Sequence, residues 1–134
     1  MTRRLLSLAI LTLVAVFAIA ACGSNEADAA PGAYTVSPAD AVAMIESGDR
    51  TVIDVRTPGE FAQAHVVGAL NIDVEGPDFA DRIAELDPDE PYLVYCRSGN
   101  RSALAAAQMA EAGIADIADA GGLADLARAG APVE

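Results

Sequence analysis

Short apolar runs alternate along this chain with segments of helical spacing. Residues 51–55 (TVIDV), 68–72 (GALNI) and 92–95 (YLVY) have the composition of buried strands, and residues 114–120 (IADIADA) favour a further short strand. Strands that alternate with helices in this way pair in parallel and are covered by helices on both faces. The sequence therefore predicts a single α/β domain with a parallel sheet of about five short strands and helices on both faces.

The strongest signal for a helix boundary surrounds residues 39–47. Ser37 is a suitable N-cap, Pro38 fits the first turn, and Gly48 marks the helix end. Further helical segments are predicted at residues 58–65, 78–86, 102–113 and 121–130. In parallel sheets, reactive groups gather beyond the carboxyl ends of the strands, and Cys96 directly follows a predicted strand.

The N-terminal residues have the composition of an export signal. Arg3 and Arg4 precede an uncharged, apolar run at residues 5–19. As a helix, this run would rise about 22 Å, less than the ~30 Å hydrocarbon core of a bilayer, which disfavours a stable membrane span. A cleaved signal is the better interpretation.

The apolar run ends in the sequence IAAC, which resembles the bacterial lipobox, in which the cysteine is lipid-modified and becomes the first mature residue. The prediction is a lipoprotein signal peptide at residues 1–21, a lipidated Cys22 with a flexible tether at residues 22–33, and a domain at residues 34–134. The protein is then exported and lipid-anchored, at the outer face of the cytoplasmic membrane or elsewhere in the bacterial cell envelope. Ordinary cleavage near Ala21 is the alternative.

Charge narrows the possible partners. Cleavage before Cys22 would leave six arginines against 20 acidic residues, a net side-chain charge of −14 compared with −12 for the whole chain. Such a surface repels nucleic acid and anionic headgroups, so only the lipid on Cys22 is expected to bind the membrane. If Cys22 is acylated, Cys96 has no intrachain disulfide partner, and a lone thiol in an oxidising compartment is either buried or used.

Residues 96–101 (CRSGNR) place positive charge around that thiol in an otherwise acidic chain. Gly99 and Asn100 tolerate unusual backbone angles, so the segment can curl and point its amides inward as an anion-binding nest. Arg97 and Arg101 add formal charge. A thiol held there is expected to have a pKa lowered toward the ~3.5–7.5 range of activated cysteines. Alternatively, Cys96 is a small buried apolar residue and the arginines belong to a solvated helix start.

Residues 52–72 (VIDVRTPGEFAQAHVVGALNI), 92–106 (YLVYCRSGNRSALAA) and 121–134 (GGLADLARAGAPVE) together resemble the single-domain rhodaneses, a thiosulfate sulfurtransferase-like family. The resemblance implies that Cys96 is catalytic: it takes a sulfane sulfur from a small anionic donor, becomes a persulfide, and passes the sulfur to a thiol or cyanide-like acceptor. It implies no cofactor. The substrate-binding residues would be Arg97, Ser98, Gly99, Asn100 and Arg101.

The upstream residues of this motif are expected to support the loop. Asp54 would accept hydrogen bonds near it, and Arg56 and Glu60 would pair across the turn. His65 is expected to serve packing and hydrogen bonding, as in related domains, with a catalytic base as the alternative. It is the sole histidine, and no CxxC motif accompanies it, so no metal site is predicted.

Two other functions remain open. Cysteine phosphatases use C-x-x-x-x-x-R, whereas only four residues separate Cys96 from Arg101, which disfavours a cradle for phosphate. A persulfide carrier or redox-sensing module that does not turn over would use the same thiol without steady catalysis. Nothing in the sequence requires more than a monomer.

Overall fold

The structure is a computed structural model that describes residues 32–134. The predicted signal peptide, Cys22 and the tether up to residue 31 lie outside this part. The described residues form strands β1 (Ala33–Thr35), β2 (Thr51–Asp54), β3 (Leu70–Asn71), β4 (Pro91–Cys96) and β5 (Asp116–Gly122), and helices α1 (Pro38–Ser47), α2 (Pro58–Gln63), α3 (Phe79–Ala84), α4 (Asn100–Glu111) and α5 (Leu123–Ala129).

The strands form one parallel sheet in the order β1-β5-β4-β2-β3. Alternate residues of a strand face opposite sides of a sheet, so the side chains of β4 divide between two apolar clusters, one on each face. Tyr92, Val94 and Cys96 enter one apolar cluster with residues of α3 and α4, whereas Leu93 and Tyr95 enter a second cluster with residues of α1 and α5. The predicted α/β fold with helices on both faces is confirmed.

Strand β1 has no counterpart among the segments predicted to be strands. It is three residues long, and two of them, Tyr34 and Thr35, are exposed, so the strand has no apolar run to mark it. Its position at the sheet edge depends on β5, since the Ile117 amide donates to the Gly32 carbonyl at 2.8 Å. The strand also takes in Ala33, which the sequence analysis assigned to the tether.

Two helix starts are fixed by local hydrogen bonds. The Ser37 hydroxyl accepts the Asp40 amide at 3.1 Å, and Gly48 ends α1 in the left-handed conformation, as predicted. At α2, Thr57 and Glu60 form a capping box in which each side chain accepts the other residue's amide. Within residues 32–134, no helix combines the length and apolar character that a membrane span requires.

The predicted strand at residues 68–72 is shorter in the structure. Gly68 has a φ of 79° and belongs to a turn, so regular pairing with β2 covers only Leu70 and Asn71. One further bond, from the Ile72 amide to the Asp54 carbonyl at 3.0 Å, holds the chain against β2. The Asn71 side-chain amide, on the same strand, donates to the carbonyls of Asp54 and Arg56, two of the residues expected to support the Cys96 loop.

Candidate active site

Cys96 is the last residue of β4, at the carboxyl end of the parallel sheet. Three residues then lead to α4, which begins at Asn100 rather than at Ser102 as predicted. The difference arises at Gly99, whose φ of 103° turns the chain back so that the helix starts at once. The predicted curled segment is therefore a tighter turn followed directly by the first helical turn.

The sulfur of Cys96 lies inside this turn. The Gly99 amide donates to Sγ at 2.9 Å, and the thiol donates to Ser102 Oγ at 3.6 Å. Burial by itself would raise the pKa of Cys96, which is only 1% exposed. Hydrogen bonds from the Ser102 hydroxyl and from the amides of Ser102, Gly99 and Ser98 outweigh that effect, so the pKa of the thiol is lowered.

Ser102 also belongs to the site, although it is not among the residues predicted from the sequence. Its side chain is fully buried on the inward face of α4 and donates to the Gly99 carbonyl at 3.0 Å. If Cys96 ionises, the hydroxyl can turn and donate to the sulfur instead, because a hydroxyl rotates freely. The sequence feature that could have indicated this role is the position of Ser102, one helical turn after Gly99 and directly after the predicted loop.

The glycines at the end of β5 allow the turn to lie against the sheet. The Cα of Gly122 pairs with that of Cys96. A Cβ at Gly122 would lie 2.6 Å from the Arg97 carbonyl oxygen, closer than such atoms approach, and 3.2 Å from the Ser98 Cα, a tight contact. The backbone of the turn thus occupies the space that a side chain at this position would need.

Arg101 is bound by carboxylates on other elements. Its guanidinium donates to both oxygens of Glu60, at 2.7 and 2.8 Å, and to Glu75 at 3.3 Å. The hydrogen bonds from Arg101 hold the pKa of Glu60 at about 2. The predicted pairing of Glu60 with Arg56 is therefore wrong. Arg101 connects the start of α4 to α2, so most of its hydrogen-bonding capacity is already used.

Arg56 pairs instead with Asp54, which is fully buried. Arg56 Nη2 donates to Asp54 Oδ2 at 2.6 Å and to the Ala64 carbonyl at 2.6 Å. The Tyr95 hydroxyl also donates to Asp54, at 2.6 Å, and accepts the Val66 amide at 3.0 Å. This network joins β2, the end of α2 and the residue that immediately precedes Cys96, so it fixes the frame around the turn.

His65 makes contacts of a packing residue. Its ring stacks on Phe61 with centroids 3.8 Å apart, and Nδ1 lies 2.9 Å from the Phe61 carbonyl. Nε2 lies 3.5 Å from a carboxylate oxygen of Glu134. All three contacts are to α2 and the C-terminal segment, and none is to the sulfur.

Arg97 differs from the other arginines of the described part. Each of the others has a carboxylate oxygen within 4.0 Å, whereas Arg97 has none. Its exposed side chain lines a pocket of about 300 Å³ with Arg56, Glu60, Gln63 and Ala64. An uncompensated positive charge therefore lies next to the turn that holds the sulfur.

The remaining loop residues contribute through the backbone or lie at the surface. Ser98 directs its amide at the sulfur while its side chain is exposed, and Asn100, also exposed, opens α4. Among residues 32–134, no three His, Cys, Asp or Glu side chains are grouped so as to hold a metal ion.

Comparison with known proteins gives a consistent pattern. Residues 37–127 match the family described as Rhodanese-like domain. A thiosulfate sulfurtransferase, GlpE, from Pseudomonas putida is 35% identical over 99 residues, which cover 74% of this chain and 88% of that protein. A thiosulfate sulfurtransferase, PspE, from Escherichia coli K12 is 40% identical over 77 residues, which cover 56% of this chain and 72% of that protein.

Solved structures resemble the fold. A rhodanese-related protein from Thermoplasma volcanium has a TM-score of 0.65 at 29% identity, over 75% of this chain and 96% of that one. The Rhodanese-like domain of an Anabaena sp. protein has a TM-score of 0.67 at 25% identity, over 75% of this chain and 77% of that one.

Proposed function

Because this chain belongs to the family of rhodanese-like domains, we propose that it is a rhodanese-type sulfurtransferase in which Cys96 carries the transferred sulfur as a persulfide. The observation that carries this proposal is the turn after β4, where the Gly99 amide donates to Sγ at 2.9 Å. The amides of Ser98 and Ser102 add to it, so the turn can stabilise negative charge on the sulfur. Two relatives are named thiosulfate sulfurtransferase, which supports thiosulfate as a donor.

Loading begins with the Cys96 thiolate, which the lowered pKa makes available. The thiolate attacks the outer sulfur of thiosulfate, a new S–S bond forms, and the S–S bond of the donor breaks. Sulfite leaves with the electron pair, so the products are a Cys96 persulfide anion and sulfite. The same amides that hold the thiolate can hold the terminal sulfur of the persulfide, so the negative charge is stabilised throughout the step.

In unloading, the Cys96 sulfur is the leaving group, whereas in loading it is the nucleophile. A nucleophilic acceptor attacks the terminal sulfur of the persulfide, the S–S bond breaks, and Cys96 departs as a thiolate. The hydrogen bonds that lower the pKa of Cys96 also make it a good leaving group. One set of donors therefore serves both halves of the cycle.

Mass spectrometry of the purified protein tests this function. After incubation with thiosulfate and removal of the excess, the wild type is expected to gain one sulfur atom on Cys96, and Cys96→Ser none. A folded protein whose Cys96 stays free and unmodified would overturn the proposal. Stoichiometric loading without steady turnover toward cyanide or a thiol would instead assign the protein to the persulfide carriers.

We propose that this activity lies at the cell envelope. Support comes from the sequence alone: a positive start, an apolar run and the lipobox-like IAAC ending at Cys22. Expression in a bacterium with a radiolabelled fatty acid is expected to label the wild type but not Cys22→Ala. Equal labelling of the two proteins, or none of either, would refute anchoring through Cys22.

A further inference from the structure

We propose that the pocket lined by Arg56, Glu60, Gln63, Ala64 and Arg97 binds the carboxylate of the sulfur acceptor, which is then a small thiol that carries a carboxylate group. This inference rests on the proposed sulfurtransferase activity and deepens it by naming the acceptor class. The pocket shares Arg97, the residue that directly follows Cys96, with the turn that holds the sulfur, and this shared residue is the link between an acceptor bound there and the persulfide.

The charges around the pocket do not cancel. Arg56 is compensated by the fully buried Asp54, with Nη2 and Oδ2 2.6 Å apart. Glu60 is compensated by Arg101, which engages both carboxylate oxygens. Arg97 has no carboxylate within 4.0 Å among the described residues, so the lining carries one net positive charge. A pocket of this sign favours an anionic group over a neutral or cationic one.

Hydrogen-bond donors are also available for an anion. Arg56 uses Nε and Nη2 for Asp54 and the Ala64 carbonyl, while Nη1 makes no hydrogen bond within residues 32–134. The Gln63 side chain is exposed and brings an amide to the same lining. Glu60, by contrast, already accepts from Arg101 and Thr57, so little capacity remains there for an ammonium group. Guanidinium groups with free N–H donors suit a carboxylate.

The size of the pocket favours an organic acceptor. Its volume of about 300 Å³ is far larger than cyanide requires and lies at the lower end of the ~300–1,000 Å³ range of small-molecule sites. In the transfer step, the thiol of the bound acceptor gives its proton to the outer sulfur of the Cys96 persulfide anion and then attacks that sulfur as the thiolate. The S–S bond breaks, Cys96 leaves as the thiolate, and the acceptor departs as its own persulfide with the proton.

Discharge by two thiols of similar size tests the pocket. The full-length protein is loaded with inorganic polysulfide, which transfers sulfur to accessible thiolates, and then mixed with 3-mercaptopropionate or 2-mercaptoethanol. The rate of persulfide loss is followed by mass spectrometry for the wild type, for Arg97→Gln, and for Arg128→Gln. Arg128 is an exposed arginine on α5, and its replacement removes the same charge at a distance from the pocket.

In Arg97→Gln, the rate constant with 3-mercaptopropionate is expected to fall about ten-fold, while that with 2-mercaptoethanol changes less than about two-fold. Arg128→Gln is expected to leave the ratio of the two rate constants as in the wild type. An equal fall with both thiols in Arg97→Gln, or no fall with either, would overturn the inference. Polysulfide loading does not need thiosulfate, so the proposed donor reaction is tested separately. If that reaction fails, the wild-type protein is loaded by polysulfide but not by thiosulfate.

Discussion

Cys96 is subject to two opposing effects. Burial disfavours the thiolate, while the Ser102 hydroxyl and nearby amides favour it and prevail. Arginines were expected to supply much of the stabilising charge. Instead Arg101 is bound to Glu60, and neutral donors make the close contacts with the sulfur. Fixed dipoles around a buried sulfur stabilise charge without long side chains that must first be ordered.

Replacement of Ser102 tests the contribution of its hydroxyl. Since that hydroxyl lowers the pKa of Cys96, Ser102→Ala is expected to raise the pKa of the thiol. The measurement is the rate of iodoacetamide alkylation against pH. Ser98→Ala is the matched control, because Ser98 acts through its amide and its side chain is exposed. Identical profiles for wild type and Ser102→Ala would contradict this role.

Replacement of Gly122 tests the fit between β5 and the turn. In Gly122→Ala, the new Cβ would lie 2.6 Å from the Arg97 carbonyl, so the turn must move and its amides lose their alignment with Sγ. Thiosulfate loading is expected to fall at least about ten-fold, with a raised thiol pKa. Gly59→Ala, in α2 with no atom near the added Cβ, serves as the control. Wild-type loading by folded Gly122→Ala would disprove the packing argument.

At the scale of elements, α2 is the part of the site with the weakest attachment to the core. None of its residues is buried, so packing contributes little to its position. It is held by its capping box, by the stack of Phe61 on His65, and by the Glu60–Arg101 pair. Together with the bond from Arg56 to the Ala64 carbonyl at its end, the ion pair sets where α2, and with it one wall of the pocket, lies relative to α4.

Acid titration tests this link. The pKa of Glu60 is about 2 in the folded protein, against 4.5 for the ordinary carboxyl. The stabilisation from this depressed pKa is fully present above pH 4.5 and is lost as the pH falls toward 2. Glu60→Gln is expected to be less stable than the wild type by about 1 kcal/mol near pH 6, with the difference shrinking over that window. A difference independent of pH, from denaturant unfolding, would exclude the ion pair as its source.

Features with short-range signals could be predicted from the sequence. Ser37 and Gly48 mark the ends of α1 through bonds to near neighbours, and the strand that ends at Cys96 is a clear apolar run. The pairing of Glu60 with Arg101 could not be predicted, because the two residues are 41 positions apart in the sequence. Arg56 is much nearer to Glu60 in the sequence and was therefore the expected partner of its carboxylate. β1 was missed for a related reason: its position depends on β5 rather than on its own residues.

At the scale of the whole molecule, the site is a small positive region on an acidic domain. The chain has 20 acidic residues, of which only Glu26 and Asp28 precede the described part, against six arginines within it. Five of those arginines have a carboxylate within 4.0 Å, and Arg97 does not. An anionic donor is thus repelled at a distance and attracted only close to the turn.

Added salt should reveal this arrangement. Because salt screens the long-range repulsion first, the second-order rate of loading by thiosulfate is expected to rise about two-fold between ~10 and ~150 mM ionic strength. Alkylation by neutral iodoacetamide provides the control and is expected to change little. A loading rate that falls steadily with salt would mean that the local field of the arginines dominates.

The phenol of Tyr95 offers an optical reporter of the frame around the reactive turn. The chain has three tyrosines and no tryptophan, so its near-ultraviolet emission comes from tyrosine alone. Tyr95 directly precedes Cys96 and donates to the Asp54 carboxylate at 2.6 Å, an acceptor that can draw the proton from the excited ring and quench its light. Loosening of the frame around the turn would then brighten the protein, without any dye or label.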